Sequence, residues 1–266
     1  MVTLLLRCAA DEKDLLVALL WELRTSGILE DDLPDGRLEL RACFAETFPA
    51  DDFAAFDPRW EPADTTNWVR VVMDTWDPIA VGERFFVAPD WRRDPTPPGR
   101  IRLEVRPGLA LGTGYHPTTQ MCLEAMERFL SPEASFLDLG TGSGILSHAA
   151  WLLGRRRIIA CDIDIEAVGY AAENLQRAGV PVLLFAGSTA ALAVRSHLLA
   201  ANIAAEPLIE LRPELEASLH PNGIAVLSGF PPERSADVCT AYVDAGFTLL
   251  RSDARDDWAC LSLRRS

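Results

Sequence analysis

The clearest chemical signal in the sequence is a glycine-rich turn, Asp138-Leu-Gly-Thr-Gly-Ser-Gly144, between an apolar strand and a helix. Glycines let the backbone approach a ligand closely, and the start of the following helix presents free N–H groups to that ligand. A dinucleotide fingerprint has the spacing G-x-G-x-x-G, whereas this turn has the spacing D-x-G-x-G-x-G. The spacing therefore disfavours a nicotinamide oxidoreductase and leaves other nucleoside ligands open.

An acidic residue follows the turn at the distance expected of a ribose contact. Asp162 ends the strand IIACDID, 22 residues after Gly140, where a carboxylate can accept hydrogen bonds from ribose hydroxyls. Asp164 is the competing candidate, but it immediately precedes a helix and suits a helix N-cap better. Gly140, Gly142 and Asp162 are therefore predicted to bind the ligand.

Two further polar side chains are predicted at the same edge of the sheet. Asn202 closes the strand HLLAANI, and the carboxyl ends of strands in open α/β sheets line the ligand crevice. The alternative is that Asn202 caps the helix beginning near Glu206. Upstream, the glycine-rich loop 108–119 precedes a helix, which predicts that it covers the ligand with Thr119 donating a hydrogen bond. His116 in this loop is interpreted as structural, because Pro117 favours an extended backbone there.

The elements that must position these residues follow from the alternation of apolar runs and turn residues. From Phe136 onward strands alternate with helices, which predicts a mostly parallel, doubly wound α/β sheet. The predicted strands are FLDLG, IIACDID, VLLFAG, HLLAANI, GIAVLSG, FTLLRS and WACLSLRR. The predicted helices cover residues 120–129, 145–153, 166–178, 206–219 and 233–245. No helix separates the last two strands, so they are expected to pair antiparallel at one edge of the sheet.

The first 57 residues predict a small α+β unit of ferredoxin-like type. Residues 3–8 and the segment LELRACF have the composition of strands, with a hairpin turn at Pro34–Gly36 and a short helix over Asp51–Phe56. Residues 11–25 predict an amphipathic helix. Its apolar face is expected to carry Leu15, Leu16, Leu19, Leu20 and Leu23. A Pro-, Asp- and Glu-rich stretch follows, so the predicted organisation is a domain over 1–57, a linker helix within 58–76 and a domain over 77–266.

Charge and composition narrow the classes of function. The net charge is −14, and residues 1–100 carry 20 acidic against 11 basic side chains. A nucleic-acid enzyme is expected to show a basic stripe, so the surplus of acid favours a basic protein partner or simple solubility over nucleic acid. No apolar stretch approaches a membrane span or a signal peptide, which predicts a cytoplasmic address. Six scattered cysteines and four histidines predict buried thiols and no metal site.

Taken together, these motifs resemble a known family. The segments GLALGTGYHPTT, FLDLGTGSGIL, CDID and AANIAAEPL occur in this order, and the set resembles the bacterial methyltransferases of the ribosomal stalk-base protein, large-subunit protein eleven. The resemblance is strong over residues 101–266 and recognisable upstream in GERFFVAPDW. It implies a class I, Rossmann-like methyltransferase fold with a seven-stranded sheet over 77–266, and a substrate-recognition domain over 1–57. It also implies S-adenosyl-L-methionine as cofactor. The implied cofactor contacts are Thr119, Gly140, Gly142, Asp162 and Asn202.

The resemblance further implies N-methylation of lysine side chains or of an α-amino group on a basic ribosomal protein, by an enzyme expected to be monomeric. Asn202 would orient the amine, and no residue is nominated as a general base. One alternative is a lysine methyltransferase with another protein substrate. A nucleic-acid amine methyltransferase is disfavoured, because Asn202 is followed by Ile203 and Ala204 where those enzymes commonly carry Pro-Pro and an aromatic. A non-catalytic cofactor-binding scaffold is the alternative from a different class.

Overall fold

The computed structural model describes most of the chain. The described residues are 2–10, 12–25, 27–62, 76–106, 114–131, 133–191 and 194–266. The chain divides into two compact units, Met1–Thr75 and Trp76–Ser266. The predicted linker helix falls largely on residues 63–75 and the first part of the predicted loop on 107–113, so both lie outside the described residues.

Within its described residues, the first unit consists of a four-stranded antiparallel sheet and one α-helix. Its elements are β1 (Val2–Cys8), α1 (Lys13–Glu22), β2 (Gly27–Asp32), β3 (Leu38–Phe44), a 3-10 helix (Asp51–Phe56) and β4 (Arg59–Pro62). The sheet order is β2-β3-β1-β4, and each neighbouring pair is antiparallel. Apolar side chains of β1, α1 and β3, among them Leu4, Leu16 and Leu40, form its core. This strand order is compatible with a ferredoxin-like unit, which stays a prediction.

Two details of this unit differ from the sequence prediction. Leu16 and Leu20 of α1 are buried, but Leu19 and Leu23 are 39% and 45% exposed, because the sheet covers only the stripe that recurs every four residues. The side chain of Leu15, also predicted on this face, lies outside the described part of the structure. Residues 59–62 form β4 and pair with β1, although their composition predicts the start of a linker. An edge strand tolerates proline and charge, which explains why this strand resembles a linker in composition.

The second unit begins with a small three-stranded sheet. Its strands are β5 (Ile79–Val81), β6 (Phe85–Pro89) and β7 (Ile101–Val105), in the order β5-β6-β7. Of these three, only β6 lies in a segment, ERFFVAPDW, whose composition predicts a strand; β5 and β7 were not predicted. The side chains of β6 are buried, and the carboxylate of Glu127 accepts the N–H groups of Glu83, Arg84 and Phe85 at 2.8–3.2 Å. This carboxylate ties the turn before β6 to the main helical layer.

In the described residues, seven strands form the main sheet of the second unit. They are β8 (Phe136–Leu139), β9 (Ile158–Asp162), β10 (Leu183–Ala186), β11 (Ser196–Asn202), β12 (Leu219–Phe230), β13 (Phe247–Arg255) and β14 (Trp258–Arg265). The order is β10-β9-β8-β11-β12-β14-β13. The pairs from β10 to β12 are parallel, and β14 is antiparallel to both of its neighbours. The antiparallel pair at one edge is as the sequence predicts.

Helices cover both faces of this sheet. They are α2 (Pro117–Phe129), α3 (Ile145–Leu152), α4 (Ile165–Arg177), α5 (Ala205–Glu210), α6 (Arg212–Ala217) and α7 (Ser235–Val243). The sequence predicts one helix over 206–219, but the structure breaks it at Leu211. Pro213 explains the break, since its ring removes an N–H donor and crowds the preceding turn. Among the described residues, no helix has the length and apolar character that a bilayer crossing needs.

The parallel order fixes where a site can form. Because β8, β9 and β11 run in the same direction side by side, their carboxyl ends meet at one edge of the sheet. Asp162 and Asn202 are the last residues of β9 and β11, and Gly140 directly follows β8. Two buried apolar layers, one on each face of the sheet, hold the strands in place.

Candidate functional site

A cleft of about 900 Å³ opens at the carboxyl ends of β8, β9 and β11, and all five predicted contact residues line it. Those residues are Thr119, Gly140, Gly142, Asp162 and Asn202. They divide into two groups. The glycine side consists of the 140–142 turn and Asp162, and the asparagine side consists of Thr119 and Asn202. The structure therefore brings together residues that the sequence separates by up to 83 positions.

The glycine turn is fixed to the end of β9 by its own backbone. The N–H groups of Gly140 and Thr141 both donate to the Cys161 carbonyl, at 2.9 and 3.0 Å. Gly140 has φ +67° and Gly142 has φ +53°, which glycine adopts without the strain a side chain would add. A Cβ on Gly140 would lie 2.4 Å from Cγ2 of Ile203. Gly140 therefore allows both a ligand and the turn after β11 to approach.

Asp162 is oriented by two backbone donors. The N–H of Gly142 donates to Oδ2 at 3.0 Å, and the N–H of Asp164 donates to Oδ1 at 3.1 Å. Each carboxylate oxygen keeps further acceptor capacity, which suits the two hydroxyls of a ribose. The side chain of Asp164 instead accepts the N–H of Glu166 at 2.9 Å and caps α4. The choice of Asp162 over Asp164 thus agrees with the geometry.

Asp138, the acid of the glycine-rich motif, has a structural role for which the sequence gives no specific signal. Its side chain is 1% exposed, and Oδ2 accepts hydrogen bonds from Thr141 Oγ1, Ser147 Oγ and the Ser147 N–H at 2.7–3.0 Å. Burial raises the pKa of Asp138 to about 6, although these hydrogen bonds oppose the shift. One carboxylate thereby connects the glycine turn to the first turn of α3.

The asparagine side depends on one long contact. Nδ2 of Asn202 donates to Oγ1 of Thr119 at 3.4 Å, and Thr119 is 1% exposed. The Thr119 hydroxyl retains its own proton to donate, and Oδ1 of Asn202 remains an acceptor. The alternative assignment of Asn202 as a helix cap is wrong, because the N-cap of α5 is Ala204 and has no side-chain hydrogen bond.

The residues before Thr119 hold the start of α2. Nδ1 of His116 lies 2.7 Å from Oγ1 of Thr118, and its ring packs edge-on against Trp258 at 4.7 Å. These contacts agree with a structural interpretation of His116. Tyr115 donates from its hydroxyl to the Asp77 carbonyl at 3.0 Å, with its ring 5.0 Å from that of Trp76.

Sequence reasoning missed several residues that line the cleft. Ile163 is 84% exposed at the rim, although it is a large apolar side chain. Tyr170 also lines the cleft, and its hydroxyl donates to the Arg106 carbonyl at 2.7 Å. Their positions in the sequence could have placed both at the cleft, since Ile163 follows Asp162 directly and Tyr170 is one turn after Glu166 on α4. Among the described residues, no three His, Cys, Asp or Glu side chains come together as a metal site.

Comparison with known proteins decides the family. A family model described as Ribosomal protein L11 methyltransferase (PrmA) matches residues 39–266. The chain belongs to this family. A protein of Citrifermentans bemidjiense named ribosomal protein L11 methyltransferase is 36% identical over 249 residues, covering 89% of this chain and 80% of the relative. A Pseudomonas putida protein of the same name is 38% identical over 212 residues, covering 77% and 70%.

Solved structures agree with this L11 methyltransferase assignment. The crystal structure of a ribosomal protein L11 methylase from Lactobacillus delbrueckii subsp. bulgaricus aligns with a TM-score of 0.67 at 29% identity. It covers 72% of this chain and 100% of that chain. The chain is therefore a methyltransferase with the class I fold, as the sequence predicts.

S-adenosyl-L-methionine is the cofactor of this L11 methyltransferase family member, and the cleft fits it. The volume of about 900 Å³ lies in the range of cofactor sites. Asp162 offers spare acceptors for ribose hydroxyls, and the glycine turn leaves room where side chains would intrude. When bound, the cofactor supplies a methyl group on a sulfonium that is already a good leaving group.

Proposed function

We propose that this enzyme methylates amine nitrogens of ribosomal protein L11, at lysine side chains, at the N-terminal α-amine, or at both. The observation that carries the proposal is one cleft lined by both the carboxylate of Asp162 and the amide of Asn202. The names of the family model and of its relatives support the substrate. Asp162 and Gly142 hold the cofactor, and Asn202 orients the amine.

The chemistry asks little of the protein beyond position and a neutral amine. The bound cofactor would supply its methyl group to the amine nitrogen with the thioether as leaving group, and the proton released from the amine would pass to water. A free lysine has a pKa of about 10.4, so the site must favour its neutral form. Oδ1 of Asn202 accepts a hydrogen bond from that amine, while the apolar walls around Ile203 and Pro207 exclude water.

The first unit is proposed as the substrate-recognition domain. Its exposed acidic side chains include Glu30, Asp31, Asp32 and Asp35, and a basic ribosomal protein would be steered towards them. Several of them also form ion pairs, such as Glu30 with Lys13 at 2.6 Å, which reduces but does not remove the surplus of acid. We further propose that the enzyme acts in the cytoplasm as a monomer without direct contact to nucleic acid.

Mass spectrometry tests the substrate. The enzyme is incubated with purified ribosomal proteins and methyl-labelled S-adenosyl-L-methionine, and labelled peptides are identified. We expect label on lysines or the α-amine of L11, and none when Asp162→Ala replaces the wild type. Label confined to another ribosomal protein would favour a lysine methyltransferase of different specificity. Absence of cofactor binding in calorimetry would refute every enzymatic assignment.

Ionic strength tests the acidic first unit separately. If electrostatic steering captures the substrate, kcat/KM for L11 falls as the salt concentration rises. Salt shortens the distance over which charges attract each other, to about 8 Å at physiological ionic strength. The affinity for the cofactor, measured under the same conditions, serves as the control. A kcat/KM that does not change with salt would remove the steering role and leave the methylation itself untouched.

A further inference from the structure

Ile203, the residue after Asn202, is held between two glycines from the two strands that flank β11. Gly140 lies in the turn after β8, and a Cβ there would come within 2.4 Å of Cγ2 of Ile203. Gly229 lies in β12, and a Cβ there would come within 2.5 to 2.8 Å of the Ile203 backbone O, N and C. Real Cβ atoms do not approach backbone atoms so closely, so position 229 has no room for a side chain.

The two contacts differ in what they touch. The contact from Gly140 is with the Cγ2 methyl of the Ile203 side chain, which moves if χ1 of Ile203 changes. The contact from Gly229 is with main-chain atoms of Ile203, which move only if the turn after β11 moves with them. Gly229 also has φ +99°, a conformation that L residues rarely adopt. A substitution at 229 therefore acts on the backbone next to Asn202.

The rest of β12 holds Gly229 firmly against this turn. The pairing of β12 with β14 shifts register between Ser228 and Phe230, which places Gly229 in a bulge. Ser228 is fully buried and lies opposite Asn202 in the parallel pairing. Its hydroxyl donates to the Ala259 carbonyl at 2.7 Å. The bulge is thus anchored to β14 on one side and packed on the Asn202 turn on the other.

Asn202 is sensitive to such a displacement. Its contact with Thr119 is 3.4 Å long, near the limit for a hydrogen bond, so a small shift of the turn would break it. The carboxylate of Asp162 is held separately, by the N–H groups of Gly142 and Asp164. The three atoms nearest to a Cβ at position 229 all belong to Ile203.

We propose that Gly229 is a positioning residue for the methyl-accepting amine: it lets β12 press on the Ile203 backbone and so sets the place of Asn202. The proposal rests on the proposed function, in which Asn202 orients that amine. In this proposal, different parts of the fold govern binding of the cofactor and alignment of the amine. The contact proposed for the cofactor ribose lies on the glycine side, whereas alignment of the amine by Asn202 depends on a bulge in β12.

The test compares Gly229→Ala with Gly246→Ala. Gly246 has a similar φ of +91°, but a Cβ there would meet nothing within 4 Å, so this variant controls for backbone strain alone. Calorimetry gives the Kd for S-adenosyl-L-methionine, and steady-state kinetics give kcat and KM on L11. For Gly229→Ala we expect kcat to fall about 10- to 100-fold, because misplacement of about 1 Å has that cost, with the cofactor Kd changed less than about twofold. Gly246→Ala should retain the wild-type kcat.

Equal kcat values for the two variants would overturn the proposal, and so would a loss of cofactor affinity in Gly229→Ala that matched its loss of kcat. Should Gly229→Ala not fold, Ser228→Ala replaces it. That variant removes the anchor on Ala259, and we expect a several-fold lower kcat at unchanged cofactor Kd; an unchanged kcat would contradict the proposal. If wild-type enzyme binds the cofactor but does not methylate L11, the proposed function fails instead, and that result precedes any comparison of variants.

Discussion

The two sides of the cleft are held by different kinds of interaction. On the glycine side, backbone N–H groups donate to Asp162 and to the Cys161 carbonyl, and buried Asp138 accepts three more hydrogen bonds. On the asparagine side, Asn202 has a single long contact of 3.4 Å with Thr119 among the hydrogen bonds of the described residues. There, steric contacts of Ile203 with two glycines fix the position.

The difference follows from what each side must do. Hydrogen bonds have a preferred direction and fix the orientation of a carboxylate before the ligand arrives, which favours a cofactor that always binds in the same way. Packing fixes distance but leaves acceptor atoms unoccupied, so Oδ1 of Asn202 stays available to an incoming amine. The first side is expected to control affinity for the cofactor, and the second to control turnover.

Replacing Asp162 is the most severe way to test the glycine side. Asp162→Ala removes the acceptor for two ribose hydroxyls, and hydrogen bonds to a charged group contribute about 1.5–3 kcal/mol each. We expect the Kd for S-adenosyl-L-methionine to rise at least about 100-fold in calorimetry. Asp164→Ala is the matched control, since it loses the cap of α4 at a cost of about 1 kcal/mol in stability while its backbone N–H remains. Similar losses of affinity in both variants would show that Asp162 acts only through the fold.

Replacing Asn202 tests the asparagine side. Asn202→Ala removes the amide that orients the amine, and we expect kcat on L11 to fall about 10- to 100-fold. The cofactor Kd should change less than about threefold, because the ribose contacts remain in place. Equilibrium binding and single-turnover rates with the same preparation separate the two quantities. A large rise in the cofactor Kd with little change in the single-turnover rate would assign Asn202 to the cofactor instead and remove the distinction between the two sides.

Sequence pattern predicted the polar side chains that line the cleft better than the contacts that position them. Asp162 and Asn202 were predictable because each ends an apolar strand, and parallel strands present their carboxyl ends at one edge. The cap formed by Asp164 was predictable from its place before a helix. The close approach of Gly229 to the Ile203 backbone was not predictable, because these residues are 26 positions apart and meet through a bulge that has no local sequence signature.

The same distinction applies to the fold. The strand and helix alternation from Phe136 onward gave the main sheet, because each element has its own apolar period. Strands β4, β5 and β7 were missed, since all three are short and contain exposed residues. The break between α5 and α6 was missed although Pro213 marks it, because a proline in a first helical turn is compatible with a continuing helix as well as with a new one.

A smaller effect is expected from the contact within the asparagine side, between Thr119 and Asn202. Thr119→Val keeps the volume of the side chain and removes the hydroxyl that accepts the hydrogen bond from Asn202 Nδ2. Thr119→Ser keeps that hydroxyl. Since the contact is long and a typical hydrogen bond contributes about 1 kcal/mol, we expect kcat to fall about three- to tenfold in Thr119→Val and about twofold or less in Thr119→Ser. Equal effects of the two variants would show that packing of the methyl group matters and the hydroxyl does not.

The last prediction concerns Asp138 and the dependence of stability on pH. Its pKa is raised by burial from 3.8 to about 6, so the folded protein holds a proton over a range in which the unfolded chain has lost it. This contribution to stability is complete below pH 3.8 and is lost as the pH rises through about 6. Asp138→Asn keeps an acceptor for Thr141 and Ser147 but does not titrate. Urea unfolding at pH 5 and pH 7 should therefore show wild type losing on the order of 1 kcal/mol more than the variant between these two values. Identical changes in both proteins would mean that Asp138 titrates near its ordinary pKa, and that the glycine turn is braced by a fully charged carboxylate throughout this range.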